Sequence, residues 1–331
     1  MILPGVKRVF LTGGAGFIGS HVVDILAPTG VDVTIYDNLS NGDLSYIKGH
    51  LDRPNVKLIQ DDILNHKAVG QAMAGHDLIW HLAANTNIIQ SHDHPAHDLN
   101  AGVIGTFNVL DGMRANGIRD MLFASSGAVY GDLCRDVAVS EDARPLLPVS
   151  PYGAGKVGCE AFISSFCNVY GMQAWMYRFG NVIGGRMTHG IIFDFLERLS
   201  KDTSNLLIRG DGRQEKNYFL VEECIDGMAY GFRHFKPTED APCGIFNLGT
   251  PTISRVVDIA RIVVEEIGLA DTTEIRIEGV KRAWPGDQPR VHFTVDKMSK
   301  LGWNSRKSSD ESVRIAIRRM LKKPGADAFV V

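Results

Sequence analysis

Residues 6–19 read V-K-R-V-F-L-T-G-G-A-G-F-I-G, and this stretch decides the fold. Its first half is an apolar, β-branched run that predicts a buried strand, and an apolar helical pattern follows over residues 17–27. Between them, Gly14, Gly16 and Gly19 have the G-x-G-x-x-G spacing. Such glycines let the backbone turn tightly, approach an anion closely and pack a helix against a strand. The stretch predicts a strand–turn–helix unit whose helix N-terminus faces a pyrophosphate.

Outward from this unit, the pattern continues as strands that alternate with helices. Strands are predicted at residues 31–37, 56–62, 77–84, 120–126, 173–179 and 244–249. Helices are predicted at residues 17–27, 65–74, 98–115 and 152–170. Several strands are apolar on both faces, as in a parallel sheet covered by helices. The expected fold class is therefore α/β, a Rossmann-type doubly wound parallel sheet with a smaller, interleaved α/β C-terminal lobe.

The alternation loosens in the second half of the chain, which indicates a second structural unit. We expect a cofactor-binding Rossmann domain of residues 1–182 plus about 213–250. The remaining residues, about 183–212 plus 251–331, are expected to form a substrate-binding lobe.

The composition of the 331 residues is typical of a globular protein, with 44% hydrophobic and 22% charged residues. A net charge of -3 offers no basic surface for nucleic acid or anionic membranes. No stretch approaches the roughly 18 consecutive apolar residues of a membrane span, and the start of the sequence lacks the arrangement of a signal peptide. The five cysteines occur singly, without C-x-x-C, which favours reduced thiols. We therefore expect a cytoplasmic protein.

An acidic residue stands at the end of the second predicted strand. Asp37 follows Gly19 by 18 residues, where a carboxylate can accept a hydrogen bond from a ribose 2′-hydroxyl group. The next residues, N-L-S-N, contain no arginine that could bind a 2′-phosphate. The sequence therefore favours NAD over NADP as the cofactor.

A candidate catalytic set lies near the carboxyl ends of the later strands. Tyr152 and Lys156 are one helical turn apart, on one face of a helix that Pro151 can begin. Ser125 and Ser126 end a strand at the edge of the sheet where ligands of doubly wound folds bind. A phenol with a pKa near 10 is a poor base, but a nearby ammonium favours its phenolate form. Ser126 could then hold a reacting oxygen while Tyr152 moves its proton, as hydride transfer at a secondary alcohol requires.

Several motifs taken together resemble one protein family. They are T-G-G-A-G-F-I-G, D-N-L-S-N, D-D-I, H-L-A-A, S-S-G-A-V-Y-G, Y-G-A-G-K and R-F-G-N-V-I-G. Their order and spacing over about residues 6–305 resemble the extended short-chain dehydrogenases/reductases, in the branch of NAD-dependent nucleotide-sugar epimerases and dehydratases. The segment R-F-G-N-V-I-G-G-R-M-T-H-G-I-I-F-D-F is most similar to the UDP-glucose 4-epimerase-like members.

The resemblance assigns roles to residues of this sequence and implies a nucleotide-sugar substrate, with a UDP-sugar favoured. The implied catalytic residues are Ser126, Tyr152 and Lys156. With the glycine turn and Asp37, the cofactor-binding residues are Gly13, Gly16, Phe17, Ile18, Gly19, Asp37, Asn38, Asp62, Ile63, Leu82, Ala83, Ala84, Asn100, Ser125, Tyr152 and Lys156. The implied substrate-binding residues are Ser126, Gly127, Asn181, Lys216, Arg282 and Arg290.

Two positions depart from the family pattern at the substrate phosphates. Lys216 stands where the family usually has an arginine, and Trp284 stands where it usually has another arginine before P-G-D. Arg282 or Arg290 could replace that second arginine, or Trp284 could stack on a base. Trp284 could equally be a core or interface residue.

The residue after the catalytic serine bears on the reaction. Family dehydratases have an acid there and epimerase-reductases have a second acid/base nearby, whereas this sequence has Gly127. The sequence does not bring Asp132, Cys134, Glu141 or His189 to that position. What remains is epimerisation at C4 through a transient 4-keto sugar. A reductase, a decarboxylase, a 4,6-dehydratase and a non-catalytic NAD-binding protein stay open as alternatives.

Two small residues bear on which sugar could bind. The glycine at 127 suggests space beside C5 and C6 for a bulkier group, such as a carboxylate. Val291 lies about where the family has a residue that gates the C2 pocket, and a small valine would admit an N-acetyl group. UDP-glucose, a UDP-uronate and a UDP-N-acetyl sugar are therefore the candidate substrates.

A group of histidines invites a metal-site interpretation, which we do not favour. H-x-H-x-x-H is not a zinc spacing, and no cysteine pair accompanies it. The histidines are His81, His92, His94 and His97. We expect a polar loop near the rim of the site and no metal.

The helices predicted at 98–115 and 152–170 are partly apolar on their outer sides. Family members commonly dimerise through these two helices. A symmetric homodimer is therefore expected.

Overall fold

The computed structural model describes residues 3–85, 90–280 and 286–322. Its strands are β1 (Arg8–Thr12), β2 (Asp32–Asp37), β3 (Val56–Gln60), β4 (Leu78–His81), β5 (Asp120–Ser126), β6 (Gln173–Phe179), β7 (Asn181–Ile183), β8 (Asn205–Ile208), β9 (Glu215–Lys216), β10 (Tyr218–Leu220), β11 (Cys243–Leu248), β12 (Ser254–Arg255), β13 (Glu274–Ile277) and β14 (Arg290–Val291). Its helices are α1 (Phe17–Leu26), α2 (His66–Ala72), α3 (Pro95–His97), α4 (Gly105–Asn116), α5 (Pro151–Tyr170), α6 (Ile191–Lys201), α7 (Val221–His234), α8 (Val256–Ile267), α9 (Asp296–Leu301) and α10 (Ser309–Met320).

Seven strands form one parallel sheet in the order β11–β6–β5–β4–β1–β2–β3. The chain begins near the centre with β1, proceeds to β3 at one edge, and then returns past β1 to build the other half from β4. This reversal defines a doubly wound fold and leaves a crevice at the carboxyl ends of β1 and β4. The predicted Rossmann-type fold class is confirmed.

Neighbouring residues of a strand point to opposite faces of the sheet. Both faces are apolar here, and helices cover both. On β1, Phe10 packs with Tyr36 and Phe123 in one apolar core. The next residue, Leu11, packs with Trp80 in the core on the other face. All five side chains are buried. Burial on both faces explains why these strands read as continuous apolar runs.

The helix predicted at 98–115 has a more complex form. A π-helical segment, Asp98–Ile104, lies between α3 and α4. In this segment the Gly105 N–H donates to the carbonyl of Asn100, five residues earlier. Such segments are rare and are frequent at functional sites. This one packs against α5.

The C-terminal part of the chain has its own apolar core, which α6, α8 and α10 build with short strands. There β9 pairs with β12 on one side and β14 on the other. On the surface, Glu266 of α8 binds Arg314 and Arg318 of α10 at 3.3 and 2.9 Å. The division into a cofactor domain and a substrate lobe stays a proposal.

Candidate active site

The glycine turn lies between β1 and α1. Gly13 has a left-handed φ of 71°, and a Cβ at Gly19 would overlap the Gly13 carbonyl oxygen. Gly16 is the N-cap of α1 without a side-chain cap, and the first turn of the helix contains no acidic residue. The N–H groups at the start of α1, including those of Phe17 and Ile18, are therefore suited to an anion.

Asp37 ends β2 beside this turn and is buried. Its Oδ2 accepts a hydrogen bond from Ala15 N at 2.9 Å, and its Oδ1 accepts one from Leu39 N at 2.8 Å. A carboxylate has about four acceptor positions, so Asp37 can hold the turn and still accept a ribose hydroxyl. The sequence predicted the ribose role but gave no sign of the contact with Ala15.

The residues predicted to border the adenine lie at the ends of β2 and β3. Asn38 Nδ2 donates to Asp62 Oδ2 at 2.8 Å, and Leu64 N donates to Asp62 Oδ1 at 2.8 Å. Ile63 is buried beneath them, and its side chain fills the space where Gly105 lacks one. These contacts order the rim of the crevice on this side.

The chain after β4 crosses next to the glycine turn. Leu82 N donates to the Thr12 carbonyl, and Ala83 N donates to Thr12 Oγ1, both at 3.2 Å. The same hydroxyl hydrogen-bonds His81 Nδ1 at 2.6 Å. Burial, with a smaller effect of the Lys156 charge, lowers the pKa of His81 to about 3. His81 is therefore a neutral, structural residue beneath the site.

Two further predicted cofactor residues lie on either side of this region. Ala84 is half-buried just after the crossing. Asn100 lies inside the π-helical segment and is exposed, although the sequence placed it at the opening of a helix. Its cofactor role stays a prediction.

The structure brings together the three predicted catalytic residues. Tyr152 and Lys156 lie in the first two turns of α5, which begins at Pro151. Lys156 is buried, its Nζ donates to the Ala124 carbonyl at 2.6 Å, and it lies 5.8 Å from the centre of the Tyr152 ring. Ser126 ends β5, where its Oγ accepts a hydrogen bond from Ala128 N at 3.2 Å, and its side chain lies beside the Tyr152 hydroxyl.

Burial raises the pKa of the Tyr152 phenol to about 12, against the hydrogen bond with Ser126, which lowers it. Burial lowers the pKa of the Lys156 ammonium, while the charges of Cys159, Glu160 and Asp98 raise it. The residues of the chain alone therefore keep the phenol protonated at neutral pH. The sequence predicted that the ammonium favours phenolate, but in the structure the ammonium donates a hydrogen bond to the Ala124 carbonyl of β5.

A buried polar network lies under the predicted catalytic residues, and the sequence analysis did not predict it. Ser125 Oγ, predicted to face the cofactor, instead donates to Glu160 Oε1 at 2.5 Å. Arg178 binds both oxygens of Glu160 at 2.9 and 2.7 Å, and its NH1 group donates to the Tyr130 hydroxyl at 3.0 Å. Tyr130 in turn donates to Asn247 Oδ1 at 2.6 Å. The signal that could have revealed this network is Glu160, which lies one turn after Lys156 on the same face of the helix.

The interpretation of Gly127 as open space is wrong. Gly127 is buried, and a Cβ there would lie 3.0 Å from Phe293 Cε1 and 3.2 Å from both Val291 Cγ1 and the Phe179 carbonyl. Val291 and Phe293 therefore already fill the expected space. The missing side chain lets Val291 of β14 pack against Gly127, next to Ser126 at the end of β5.

Lys216 and Arg290 lie on adjacent strands with different partners. Lys216 Nζ lies 3.6 Å from Asp287 Oδ1. Arg290 pairs with Glu215 at 3.2 Å. Because neighbouring strand residues face opposite sides, Arg290 points away from Val291, and this position argues against the suggested phosphate contact.

The remaining predicted substrate residues divide into two groups. Asn181 begins β7, where its backbone N–H and Nδ2 donate to the Asn217 carbonyl at 3.0 and 3.2 Å. The side chain is half-buried and is fixed toward β10. Arg282 and Trp284 lie outside the described residues, so the predictions for them stay open.

The candidate acid/base residues that the sequence left unplaced are either buried or exposed. Glu141 is buried, and its Oε1 accepts a hydrogen bond from Asn247 N at 2.7 Å. Cys134 is buried, and burial raises the pKa of its thiol. Asp132 and His189 are exposed.

The histidines do not cluster. His92 pairs with Asp93 at 3.0 Å, and the rings of His94 and His97 stack at 5.3 Å, whereas His81 is buried in the sheet. In the described ranges, no group of three or more His, Cys, Asp or Glu residues could hold a metal ion.

Comparison with known proteins supports the family that these motifs resemble. The model of the NAD dependent epimerase/dehydratase family matches residues 9–249. A putative UDP-glucose 4-epimerase of Methanocaldococcus jannaschii is 30% identical, over 94% of this chain and 98% of the relative. UDP-glucuronic acid decarboxylase 4 of Arabidopsis thaliana is 29% identical, over 95% of this chain and 68% of the relative.

Solved structures of 4-epimerases are also similar to this chain. The crystal structure of a UDP-galactose 4-epimerase superposes with a TM-score of 0.84 at 34% identity, covering 95% of this chain and 99% of that one. A UDP-glucose 4-epimerase of Thermus thermophilus in complex with NAD gives a TM-score of 0.79 at 28% identity, with coverage of 95% and 99%.

The chain belongs to the NAD-dependent epimerase/dehydratase family and is an enzyme of its nucleotide-sugar branch. The predicted family and its cofactor, NAD, are confirmed. The relatives include epimerases and decarboxylases, so family membership alone does not select the reaction. Among the described residues, no helix is long and apolar enough to cross a membrane.

Proposed function

We propose that this member of the NAD-dependent epimerase/dehydratase family epimerises a UDP-sugar at C4 through a transient 4-keto sugar. The supporting observation is the site at the end of β5. Ser126, Tyr152 and Lys156 lie together there, and the neighbouring position, where an acid would assist dehydration, is a buried glycine.

The crevice fits NAD by the shape and chemistry of its own residues. The absence of side chains at Gly13, Gly16 and Gly19 leaves a backbone cradle before α1. Asp37, held by two backbone N–H groups, would bind the adenosine ribose, and Asn38, Asp62 and Ile63 would border the adenine. Bound NAD would supply the acceptor and donor of the C4 hydride and a positive ring that favours the phenolate of Tyr152.

The proton chemistry belongs to the chain. Tyr152 would take the proton of the C4 hydroxyl as the hydride leaves C4, and Ser126 would hold the same oxygen by a hydrogen bond. After the keto sugar rotates in the site, C4 would receive hydride on its other face, and Tyr152 would return the proton to the oxygen. Lys156, anchored on the Ala124 carbonyl, has two further N–H donors for a ribose. No cofactor is consumed overall.

Dehydration is disfavoured by the surroundings of Gly127. Elimination of water across C5 and C6 needs an acid beside the sugar, and the space beside Gly127 is occupied by Val291 and Phe293. Glu141, the nearest buried acid in sequence, is committed to the backbone of Asn247. A decarboxylase is the second candidate, since one of the relatives is named as such.

Lys216 is the proposed contact for the substrate diphosphate. Its side chain is only 18% exposed, and the facing Asp287 fixes its position. Val291 on the adjacent strand lies on the same side of the sheet as Lys216 and next to Gly127. This arrangement would place the diphosphate at Lys216 and the sugar near Val291.

We also propose a homodimer formed through the helices on the outer side of the sheet. An apolar surface runs along the π-helical segment, α4 and α5, and its exposed members are Leu99, Ile104, Phe107, Phe162, Val169 and Tyr170. Exposed apolar patches of this kind mark interaction sites. Light scattering should show a dimer, and Phe162→Glu should shift it to monomer. A monomeric wild-type protein would contradict the proposal.

Proton NMR tests the reaction. Purified protein is incubated separately with UDP-glucose, UDP-glucuronate and UDP-N-acetylglucosamine, without added NAD. A new anomeric signal of the C4 epimer at unchanged mass is expected from one of them, and Tyr152→Phe should reduce its rate by about 10²- to 10⁴-fold. Loss of CO₂ by mass would show a decarboxylase instead, and no change with any sugar would remove the UDP-sugar 4-epimerase assignment.

A further inference from the structure

The π-helical segment places a buried carboxylate against the catalytic helix. Asp98 is 3% exposed, and its Oδ1 accepts a hydrogen bond from Asn85 Nδ2 at 3.1 Å. Its Oδ2 is buried without a hydrogen-bond partner among the described residues. A Cβ at Gly155 would lie 3.2 Å from the Asp98 carbonyl oxygen and 3.9 Å from its Cβ. Gly155 lies between Tyr152 and Lys156 on α5.

A buried carboxylate with an unpaired oxygen is costly unless a cation compensates it. Arg178 cannot serve, because it binds both oxygens of Glu160. Lys156 is 4% exposed, and it too lacks a carboxylate partner in the described part of the chain. Asp98 and Lys156 are therefore two buried charges without a complete set of partners. They belong to the two elements, the π-helical segment and α5, that pack together at Gly155.

We propose that Asp98 is a positioning residue for the catalytic pair: its buried negative charge keeps Lys156 an ammonium and restrains Tyr152 from ionising before a ligand binds. The proposal rests on the proposed roles of Tyr152 and Lys156. It adds that the balance between the two groups is set from the π-helical segment and not only within α5.

Two other groups near the pair act on Lys156 in the same direction. The Glu160 carboxylate raises the pKa of Lys156 more than Asp98 does, but both of its oxygens are bound by Arg178. Burial raises the pKa of the Cys159 thiol, so the thiol is uncharged at neutral pH. His81, below the pair on β4, is neutral. On the segment before Asp98, His94 and His97 are exposed and stack on each other.

The sign of the effect follows from Coulomb attraction and repulsion. The Asp98 charge raises the pKa of Lys156 and of Tyr152. Removing it should therefore lower both, so that the acid limb and the basic limb of the pH–rate profile move to lower pH. A side chain that only supports the fold would change the height of the profile but not its position.

The main experiment compares Asp98→Asn with the wild type in the pH dependence of kcat. We expect both limbs to shift down by roughly half to one pH unit, as expected for removal of one nearby charge. Asp98→Glu keeps the charge and should leave both limbs in place. Asp120→Asn is the matched control, because it neutralises a carboxylate at the opposite end of β5 and should shift neither limb.

A second measurement needs no substrate and so separates this proposal from the assigned reaction. The phenolate absorbance of the holoenzyme is titrated with pH, and the titration of Tyr152→Phe is subtracted to isolate Tyr152. In Asp98→Asn the phenolate should appear at lower pH. If Asp98→Asn does not fold, Asp98→Ala removes the same charge. Unshifted limbs, an unshifted phenolate titration, or a shift to higher pH would each overturn the proposal.

Discussion

The carboxyl edge of the seven-stranded sheet and the small sheet β12–β9–β14 meet near Gly127, where Val291 of β14 packs, but they are built differently. The first is held by hydrogen bonds from backbone N–H groups of the turns, such as Ala15 N to the Asp37 carboxylate. The second is held by side-chain pairs between distant residues, such as Lys216 with Asp287 and Arg290 with Glu215. Backbone-built sites constrain glycines and turns strongly, whereas side-chain-built sites can exchange partners. The residues proposed to bind the cofactor are therefore more firmly determined than those proposed to bind the sugar nucleotide.

The largest expected effect comes from the buried polar network at the seven-stranded sheet. Glu160→Leu leaves the Arg178 charge buried without its partner, and breaking such a pair costs about 3–5 kcal/mol of unfolding free energy. Arg178 is 1% exposed, so solvent cannot compensate. Urea unfolding measures the loss. If the chain unfolds in one cooperative step, the whole transition should move, whereas independent regions would show two transitions, of which only that of the seven-stranded sheet moves.

Glu197→Leu is the matched control for this prediction. It removes a glutamate from an ion pair whose side chains are 52% and 72% exposed. Exposed pairs of this kind contribute about 0–1 kcal/mol. A control as damaging as Glu160→Leu would contradict the explanation by burial.

The next prediction breaks the backbone-built region alone. In Gly19→Ala the new Cβ overlaps the Gly13 carbonyl, so the turn must open. We expect NAD affinity to fall by about 100-fold or more, which corresponds to about 3 kcal/mol. Fluorescence titration or calorimetry measures it. Gly49→Ala, where a Cβ meets open space, should bind NAD as the wild type does.

The seven-stranded sheet and the C-terminal core should also differ in how their stability depends on pH. The pKa of His81 is lowered from 6.5 to about 3, so its contribution is complete above pH 6.5 and is lost as the pH falls toward 3. The slope is at most about 1.4 kcal/mol per pH unit. Hydrogen bonds from Arg318 lower the pKa of Glu266 from 4.5, so the lobe loses that contribution only at more acid pH.

Urea unfolding of the wild type and of His81→Asn between pH 7 and 5 tests this difference. The variant should be less stable at neutral pH, but its stability should fall less steeply with decreasing pH. Equal slopes would show that His81 is not the group that titrates in this window.

The smallest effect is expected in the side-chain-built region. Lys216→Met should raise KM for the nucleotide sugar by about tenfold with kcat nearly unchanged, since a phosphate contact binds substrate and transition state alike. Arg290→Met should change KM by less than about twofold, because Arg290 faces Glu215. The reverse order of the two variants would restore Arg290 as the phosphate ligand.

The backbone-built region was predictable because its signals are local. The glycine spacing, the strand ending at Asp37 and the Tyr152–Lys156 pair each depend on a few neighbouring residues and on a regular period. β5 and β6 have the predicted bounds, whereas β4 ends at His81, three residues early, because Ala83 N leaves the sheet to bond Thr12 Oγ1.

The rest depended on contacts that no local pattern encodes. Phe293 packs against Gly127 although the two residues are far apart in the chain. The sequence alone therefore suggested open space at this glycine. The pairing of Arg290 with Glu215 follows from the register of two-residue strands, which periodicity cannot predict. Ser125 and Ser126 are adjacent and alike, and only the position of Glu160 distinguishes their roles.

The π-helical segment has a consequence for aligning and engineering this chain. A π turn holds one residue more than an α turn at the same point, so it is the form in which a helix absorbs an inserted residue. An alignment that counts through Asp98–Ile104 as regular helix is displaced by one position on one side of the segment. Deleting one residue here would rotate Asp98 by roughly 100° relative to α4. The length of this segment, and not only its composition, therefore determines how Asp98 meets α5.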